Sequence, residues 1–211
     1  VIGGLLKLKQ KGHVIFFDIG QPPKKDFSKC YQSGPLSFEY YLDNIKIISN
    51  SGFGDNISSK AELLSRLTAC QTTLTLNDTS VTKFERNKLI NKIFGNSIKS
   101  TFKTYDINIF KEKNIIGCSA SHNGYENKFD CIHKREISFD KINGYIKGSD
   151  HIFKKKDGIP IRYIFRFHIN PELTVVKTMG GNSALIQISK NKSLLYTMKD
   201  ENLEIEKSIF F

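Results

Sequence analysis

The sequence contains no long apolar run and no recognisable targeting segment. A helix that crosses a bilayer needs about 18 consecutive apolar residues, and no such run occurs among the 211 residues. The amino-terminal residues also lack the basic, apolar and small-residue regions of a signal peptide. We therefore expect no membrane-spanning helix. Because the sequence starts at Val1 rather than Met and ends on an apolar run, Ile209 to Phe211, we expect it to be part of a longer protein.

Cysteine is scarce, and its spacing excludes two kinds of site. The four cysteines are Cys30, Cys70, Cys118 and Cys131, and no two of them form a CxxC pair. Zinc ribbons and redox dithiols depend on such pairs, so neither is expected here. At this low density we expect thiols that are buried as small hydrophobic side chains rather than a disulfide framework.

Acidic residues are outnumbered by basic ones. The chain has 32 Lys and Arg against 21 Asp and Glu, a net charge of +11. Two explanations are open: a surface that binds a polyanion, or a bias towards Lys, Ile and Asn from an AT-rich genome. The lysines are spread along the chain instead of forming a block, and no nucleic-acid recognition motif is present. We therefore expect no nucleic-acid partner.

Short strand-like segments alternate with turn residues along the whole chain. The hydrophobic content, 39%, is that of a folded protein with a substantial core. Turn formers recur about every 8 to 15 residues, which is typical of all-β proteins. The predicted strands cover residues 5–9, 14–19, 36–42, 45–49, 72–76, 137–139, 145–147, 163–169, 173–177, 184–189 and 194–198.

One segment, residues 58–67, has a helical pattern. Ser58 or Ser59 can cap it, and Leu63, Leu64 and Leu67 lie on one face. With no internal repeat and no linker, the chain is predicted to be a single domain over residues 1–211. We expect an all-β fold, a multi-stranded antiparallel β-sandwich with one short helix.

Three groups of side chains are candidates for a binding site. His122 and Tyr125 lie in a Gly-containing segment, where they either line a cleft or form structural hydrogen bonds. His133 and Arg135 alternate along one strand face, and so do Arg166 and His168 in the segment 162–168. Either pair could clamp a carboxylate, or could be a solvated strand face.

The segment 162–168 has two distinct faces. Tyr163, Phe165 and Phe167 alternate with the Arg and His residues, and we expect the aromatic face to be in the core. The Arg and His face should then meet solvent or a cleft.

Nine segments, in this order and at this spacing, resemble the C-terminal β-sandwich of the heparinase II/III-like family of polysaccharide lyases. They are FDIGQPP (17–23), GPLSFE (34–39), ISNSG (48–52), RLTACQTTL (66–74), ASHNGY (120–125), HKR (133–135), GSD (148–150), RFHINP (166–171) and IEKSIF (205–210).

The resemblance implies that this sandwich domain works together with a helical toroid domain. In this family a helical toroid precedes the sandwich and carries the catalytic Tyr and one His, and that toroid is absent from these residues. The implied reaction is β-elimination on an acidic glycan, glycosaminoglycan or alginate-like, with neutralisation of the uronate carboxylate, removal of the α-proton and protonation of the leaving oxygen. For such a substrate, we expect the candidates named above to be the binding residues: His122, Tyr125, Arg135, Arg166 and His168.

The sequence departs from the family where the family binds zinc. A family segment of the type His-x-His, which supplies a catalytic His and a zinc ligand, is here Cys30-Tyr31-Gln32. A second ligand position is Gln71, and a third, a carboxylate, aligns with Asp55. Because an amide is a poor zinc ligand, we expect no cofactor, with an amide–amide hydrogen bond in place of the metal. Cys30 is expected to be an inert core residue, with a base or thiolate ligand as the alternative.

Two functions are open at this point. The first is the sandwich half of a polysaccharide lyase-like protein that acts on uronic-acid-containing glycans and is inactive without its toroid. The second is a non-catalytic glycan-binding or cell-envelope interaction domain that has lost the zinc and His chemistry. The family suggests a bacterial protein of the periplasm or cell envelope.

Overall fold

The structure is a computed structural model, and it describes residues 1–155, 161–199 and 201–211, without the side chains of Lys88 and Phe94. In this part of the chain thirteen strands and three α-helices form. The strands are β1 (Leu5–Gln10), β2 (His13–Asp18), β3 (Phe38–Leu42), β4 (Ile45–Ile48), β5 (Leu74–Leu76), β6 (Thr104–Lys111), β7 (Ile115–Tyr125), β8 (Cys131–Asp140), β9 (Ile146–Lys154), β10 (Tyr163–Phe165), β11 (Thr174–Lys177), β12 (Ser183–Ser189) and β13 (Lys192–Thr197). The helices are α1 (Ser59–Ser65), α2 (Lys88–Phe94) and α3 (Glu126–Phe129).

The strands form four antiparallel sheets. Two sheets have four strands each, in the orders β1-β2-β3-β4 and β6-β7-β8-β9. A third sheet is β11-β12-β13, and β10 pairs with β5 in the smallest one. The predicted all-β antiparallel sandwich is therefore confirmed. None of the described helices is long and apolar enough to cross a membrane.

Two hydrophobic clusters fill the interior. The larger one joins the inward faces of the first two sheets with Ile186 of β12. The smaller cluster lies around β5 and includes Tyr125 and Cys131. Each sheet contributes alternate residues, as a pleated strand requires, so that Leu6 and Leu8 of β1 point inward. The boundary between the clusters is occupied by the polar side chains described below.

The predicted helix forms, but with a different buried face. Ser58 caps it, because its hydroxyl accepts a hydrogen bond from the Ala61 N–H (3.1 Å). The buried residues are Ala61 and Ser65, whereas Leu64 is 37% exposed. The reason is close packing: a Cβ at Gly54 would lie 2.7 Å from the Ala61 carbonyl carbon, so only small residues fit on that side. Two short helices, α2 and α3, were not predicted.

The long strand predicted over residues 163–169 is mostly not a strand. Only Tyr163–Phe165 pairs with β5. Phe165 and Phe167 pack against the two hydrophobic clusters as predicted, but Tyr163 is 50% exposed. After Phe165 the chain runs beside residues 72–73 with isolated hydrogen bonds, such as Arg166 N–H to the Thr73 carbonyl (3.2 Å), instead of a ladder.

The cysteines are all free thiols, and two of them are in the core. Cys118 and Cys131 are buried, as predicted. Cys70 is half-buried. Cys30 is exposed, so its prediction as a core residue is wrong. It follows the one-turn 3-10 helix Lys25–Phe27, in which no residue is buried.

Candidate functional site

Four polar side chains form a buried network between the two hydrophobic clusters. His122 on β7 and His133 on β8 face each other, with Nε2 of the first 3.2 Å from Nδ1 of the second. His133 Nε2 lies 2.6 Å from Oδ1 of Asp150 on β9. Arg135 contacts both oxygens of the same carboxylate through Nε (2.7 Å) and Nη2 (3.1 Å). We call these four residues the His–Asp network.

The hydrogen bonds of the His–Asp network fix the position of each ring proton. The Gly124 N–H donates to Nδ1 of His122 (3.1 Å), so the proton of a neutral His122 is on Nε2. That proton is donated to Nδ1 of His133, and the His133 proton is therefore on Nε2 and directed at Asp150. Every ring nitrogen is thus used inside the protein.

Burial and the charge of Arg135 determine the ionisation of the network. Burial is the largest cause that lowers the pKa of His122 well below its usual value, and His133 and Arg135 add to it. Burial also lowers the pKa of His133, against the opposing effect of Asp150. For Asp150, burial opposes ionisation, but Arg135 and His133 outweigh it and hold its pKa below its usual range. The network is therefore two neutral rings beside one ion pair.

Arg135 also joins the two halves of the sandwich. Its Nη1 donates to the carbonyls of Leu36 (2.9 Å) and Thr72 (2.7 Å). The guanidinium is 2% exposed. The predicted pair His133 and Arg135 does clamp a carboxylate, but that carboxylate is Asp150 of the chain itself. Their alternative prediction, a solvated strand face, is wrong.

Tyr125 lies beside the network. Its ring centroid is 5.8 Å from that of His122, and its hydroxyl is within hydrogen-bond distance of the carbonyls of Leu74 (2.9 Å) and Thr79 (3.2 Å). Tyr125, His122 and Arg135 are each 2% exposed or less. Their predicted role in substrate binding stays a prediction, and in this structure they bind one another and the main chain.

Arg166 and His168 lie outside the network and do not act as a pair. His168 Nε2–H donates to the Ala69 carbonyl (3.0 Å), so the neutral ring accepts from the Ser51 hydroxyl at Nδ1 (3.0 Å). Arg166 donates to the Thr75 hydroxyl and lies 3.4 Å from an oxygen of Asp78. Its side chain is 27% exposed. Arg166 is therefore the predicted cation that solvent reaches best.

Residues 71–73 lie between the His–Asp network and the segment that carries Arg166 and His168. The Thr72 carbonyl accepts from Arg135, and its hydroxyl accepts from the His168 N–H (3.3 Å). The Thr73 hydroxyl donates to the Pro35 carbonyl (2.8 Å). Three of the five predicted substrate-binding residues, Arg135, Arg166 and His168, thus bond to this segment. Tyr125 bonds to the adjacent Leu74.

The amides that occupy the zinc-ligand positions are used by the main chain. Gln71 Nε2 donates to the Ser65 carbonyl (3.0 Å), and Gln32 Nε2 lies 3.5 Å from the Gly52 carbonyl. The predicted amide–amide bond between them is therefore wrong. Asp55 is exposed and accepts only from the neighbouring Asn56 N–H (3.0 Å) in the described chain.

A buried arginine that the sequence analysis missed holds the same region together. Arg66 is fully buried, and it donates to the carbonyls of Tyr31 (2.9 Å) and Ser28 (2.8 Å). Its guanidinium lies over the Phe84 ring, 4.2 Å from the centroid. Arg66 therefore attaches the segment that carries Cys30 and Gln32 to the end of α1. An arginine directly after a helix gives no sequence signal for such a role.

The residues at the zinc-ligand positions do not fit a zinc ion. Both amides are donating to carbonyls, and Asp55 is turned to solvent. Among the described residues, no group of three or more His, Cys, Asp and Glu side chains could hold a metal. Zinc sites use imidazole, thiolate and carboxylate ligands, four of them in a structural site.

The first testable prediction concerns this metal. Protein purified without added zinc is expected to contain well under one zinc per chain, and a chelator should leave its melting temperature unchanged, because nothing in the folded state would be released. Elemental analysis and a thermal melt with and without chelator measure both. About one zinc per chain would contradict the prediction and point to Cys30 or Cys70 as thiolate ligands.

The chain is similar to one protein family and to several solved structures. A family model described as Heparinase II/III-like, C-terminal, matches residues 2–211. A comparison with curated protein sequences finds no match. Among solved structures, heparan sulfate lyase HepC from Pedobacter heparinus superposes with a TM-score of 0.68 at 15% identity, over 92% of this chain and 27% of that chain.

Two further structures give the same result. A mutant of the same lyase has a TM-score of 0.70 at 15% identity, with 95% of this chain and 28% of that chain covered. A structure of heparinase III has a TM-score of 0.62 at 15% identity, with coverages of 90% and 27%. At this identity the likeness concerns the fold. The chain spans less than a third of the length of these proteins.

Proposed function

The chain belongs to the heparinase II/III-like C-terminal domain family, and from that premise we propose that it is the sandwich domain of a polysaccharide lyase-like protein. Its substrate in this proposal is an acidic glycan that contains uronic acid, cleaved by β-elimination. The partner is a helical toroid domain of the same protein, which completes the cleft, and the location is the cell envelope or periplasm of a bacterium. The net charge of +11 supports an anionic substrate.

One observation supports a division of labour between the two domains. A catalytic acid or base must reach the proton that it transfers, and the side chains of His122 and His133 are about 1% exposed and fully hydrogen-bonded. The sandwich therefore supplies no proton carrier from this network. Arg166 is the candidate that can meet a uronate carboxylate, since it is partly exposed and only weakly paired with Asp78.

The second prediction follows from this division. The 211-residue chain alone should not depolymerise heparin, alginate or other uronic-acid polymers, because the acid and base belong to the toroid. The assay follows the absorbance of the unsaturated product. Salt-sensitive binding to the same polymers is still expected, because salt screens exposed charges. Eliminative turnover by the isolated chain would contradict the proposal.

A second candidate function rests on the amides of Gln32 and Gln71. Because these positions cannot ligate zinc and Cys30 replaces the family's histidine, the protein could be a glycan-binding or cell-envelope interaction domain without catalysis. The same product assay on the complete parent protein separates the two functions. Turnover supports the lyase, and tight binding without turnover supports the binding domain.

A further inference from the structure

The outward face of the sheet β1–β4 carries a basic and aromatic surface on the side of the sheet that points away from the core. Residues of β1 and β2 alternate, so that Leu8 and Ile15 enter the core while their neighbours point away from it. The strand pairing aligns one row as Lys7, Phe16 and Glu39, and a second row as Lys9, Val14, Tyr41 and Lys46. We call these two rows the basic–aromatic face.

Two aromatic rings form the middle of this face. Phe16 and Tyr41 contact each other edge to face, with centroids 5.9 Å apart at an angle of 84°. The Lys7 ammonium lies 5.5 Å from the centroid of Phe16, and the Lys46 ammonium lies 5.5 Å from that of Tyr41. Rings and lysine stems therefore support one another, and the cations are held at the surface.

The charges of this face are unevenly neutralised. Lys46 pairs with Glu39 at 3.0 Å, and the Tyr41 hydroxyl donates to the other oxygen of Glu39 (3.1 Å). Lys7 and Lys9 are exposed and have no carboxylate partner within the described chain. They are two residues apart on one strand, which places them about 7 Å from each other. The edge strand thus presents unpaired cations beside two rings.

We propose that the basic–aromatic face is a second binding site for an acidic polysaccharide, one that lies across strands β1 to β4. Carboxylate or sulfate groups pair with Lys7 and Lys9, while the apolar faces of the sugar rings pack on Phe16 and Tyr41. A glycan is favoured over a nucleic acid because the sequence has no nucleic-acid recognition motif, and Glu39 can accept hydrogen bonds from sugar hydroxyls. The choice of an acidic glycan as the ligand rests on the proposed function, whereas the location of the binding site rests on the contacts of the basic–aromatic face.

The third prediction tests this site with heparin as the probe. The double variant Lys7→Gln, Lys9→Gln should bind a heparin oligosaccharide about tenfold more weakly than the unchanged chain, since two exposed ionic contacts are lost. The matched control is Lys134→Gln with Lys147→Gln, on strands β8 and β9, which makes the same change in net charge. Calorimetric titration at two salt concentrations measures both variants.

One further variant and one further probe complete the test. Phe16→Leu keeps apolar volume but removes a ring, and it should weaken heparin binding while leaving the melting temperature close to that of the unchanged chain. Equal losses in the two lysine double variants would overturn the proposal, as would no heparin binding at all. A loss for single-stranded DNA as large as that for heparin would overturn the assignment to glycans. Absence of lyase activity in the parent protein would affect only the proposed function.

Discussion

Asp150→Asn is expected to lower the free energy of unfolding by about 3–5 kcal/mol, the usual cost of removing one partner from a buried ion pair. The carboxylate accepts from both His133 and Arg135. After the change, the Arg135 charge stays buried without a counter-charge, although it keeps the carbonyls of Leu36 and Thr72 as acceptors. Urea denaturation of the variant and the unchanged chain measures the difference.

Asp43→Asn is the matched control for this fourth prediction. Asp43 is exposed and pairs with Lys192 at the surface, and it has a positive φ of 48° that asparagine also tolerates. Its replacement should leave the denaturation midpoint almost unchanged. Similar midpoints for the Asp150 and Asp43 variants would show that the His–Asp network does not stabilise the fold.

Stability is also expected to fall as the pH drops below 6.5. Both histidines of the network have a lowered pKa in the folded chain, so the unfolded chain binds protons that the folded chain does not. Each such histidine lowers the free energy of unfolding by roughly 1.4 kcal/mol per pH unit, starting at its unfolded pKa of about 6.5. Asp18 acts in the opposite direction, because burial raises its pKa to about 6 and the folded chain then takes up a proton.

Denaturation at pH 7, 6 and 5 tests this fifth prediction. His122→Gln can keep the bonds to Gly124 and His133 but cannot titrate, so its stability should depend less steeply on pH. His151→Gln removes an exposed histidine of the neighbouring strand and serves as the comparison for the loss of one histidine outside the network. An unchanged slope in the His122 variant would mean that this ring is protonated in the folded chain.

The sequence predicted the first sheet well because every local signal agreed there. Apolar residues such as Leu6, Leu8 and Ile15 alternate with polar ones, and all three are buried. The turn Asp43-Asn44 has two positive φ angles, 48° and 67°, which asparagine and aspartate tolerate better than other residues. The alternation of apolar and polar residues and the residues of the turn together define both the strands and their register.

The second sheet was largely missed because its strands carry small and polar residues. Along β7 one face carries Cys118, Ala120 and His122, and the opposite face carries Gly117 and Ser119, which are buried as well. Apolar and polar residues hardly alternate in such a strand, so the sequence lacks the two-residue repeat by which a strand is recognised. These residues are small because the sheet is closely packed: a Cβ at Gly117 would lie 2.5 Å from the Phe110 ring.

The candidate site could be predicted as a set of residues but not as a geometry. The spacing of His133 and Arg135 left a carboxylate clamp open as one of two alternatives, and the structure has such a clamp on Asp150 of the chain itself. The identity of its carboxylate depends on the register that places Arg135 opposite Asp150, and nothing local to either residue specifies that register. Burial also depends on residues that are distant in the sequence. The interior position of the predicted binding residues His122 and Tyr125 could therefore not be predicted.

The contacts of His168 have a consequence for the order in which the protein can assemble during translation. Its ring bonds to Ser51, 117 positions earlier, and to Ala69, 99 positions earlier. The hairpins of the first sheet close over a few residues and can form as soon as they leave the ribosome, whereas long loops close at a higher entropic cost. The Ser51 hydroxyl and the Ala69 carbonyl therefore wait for the His168 ring until that residue has been made. The segment between β10 and β11 thus completes a group of contacts that begins at Ser51.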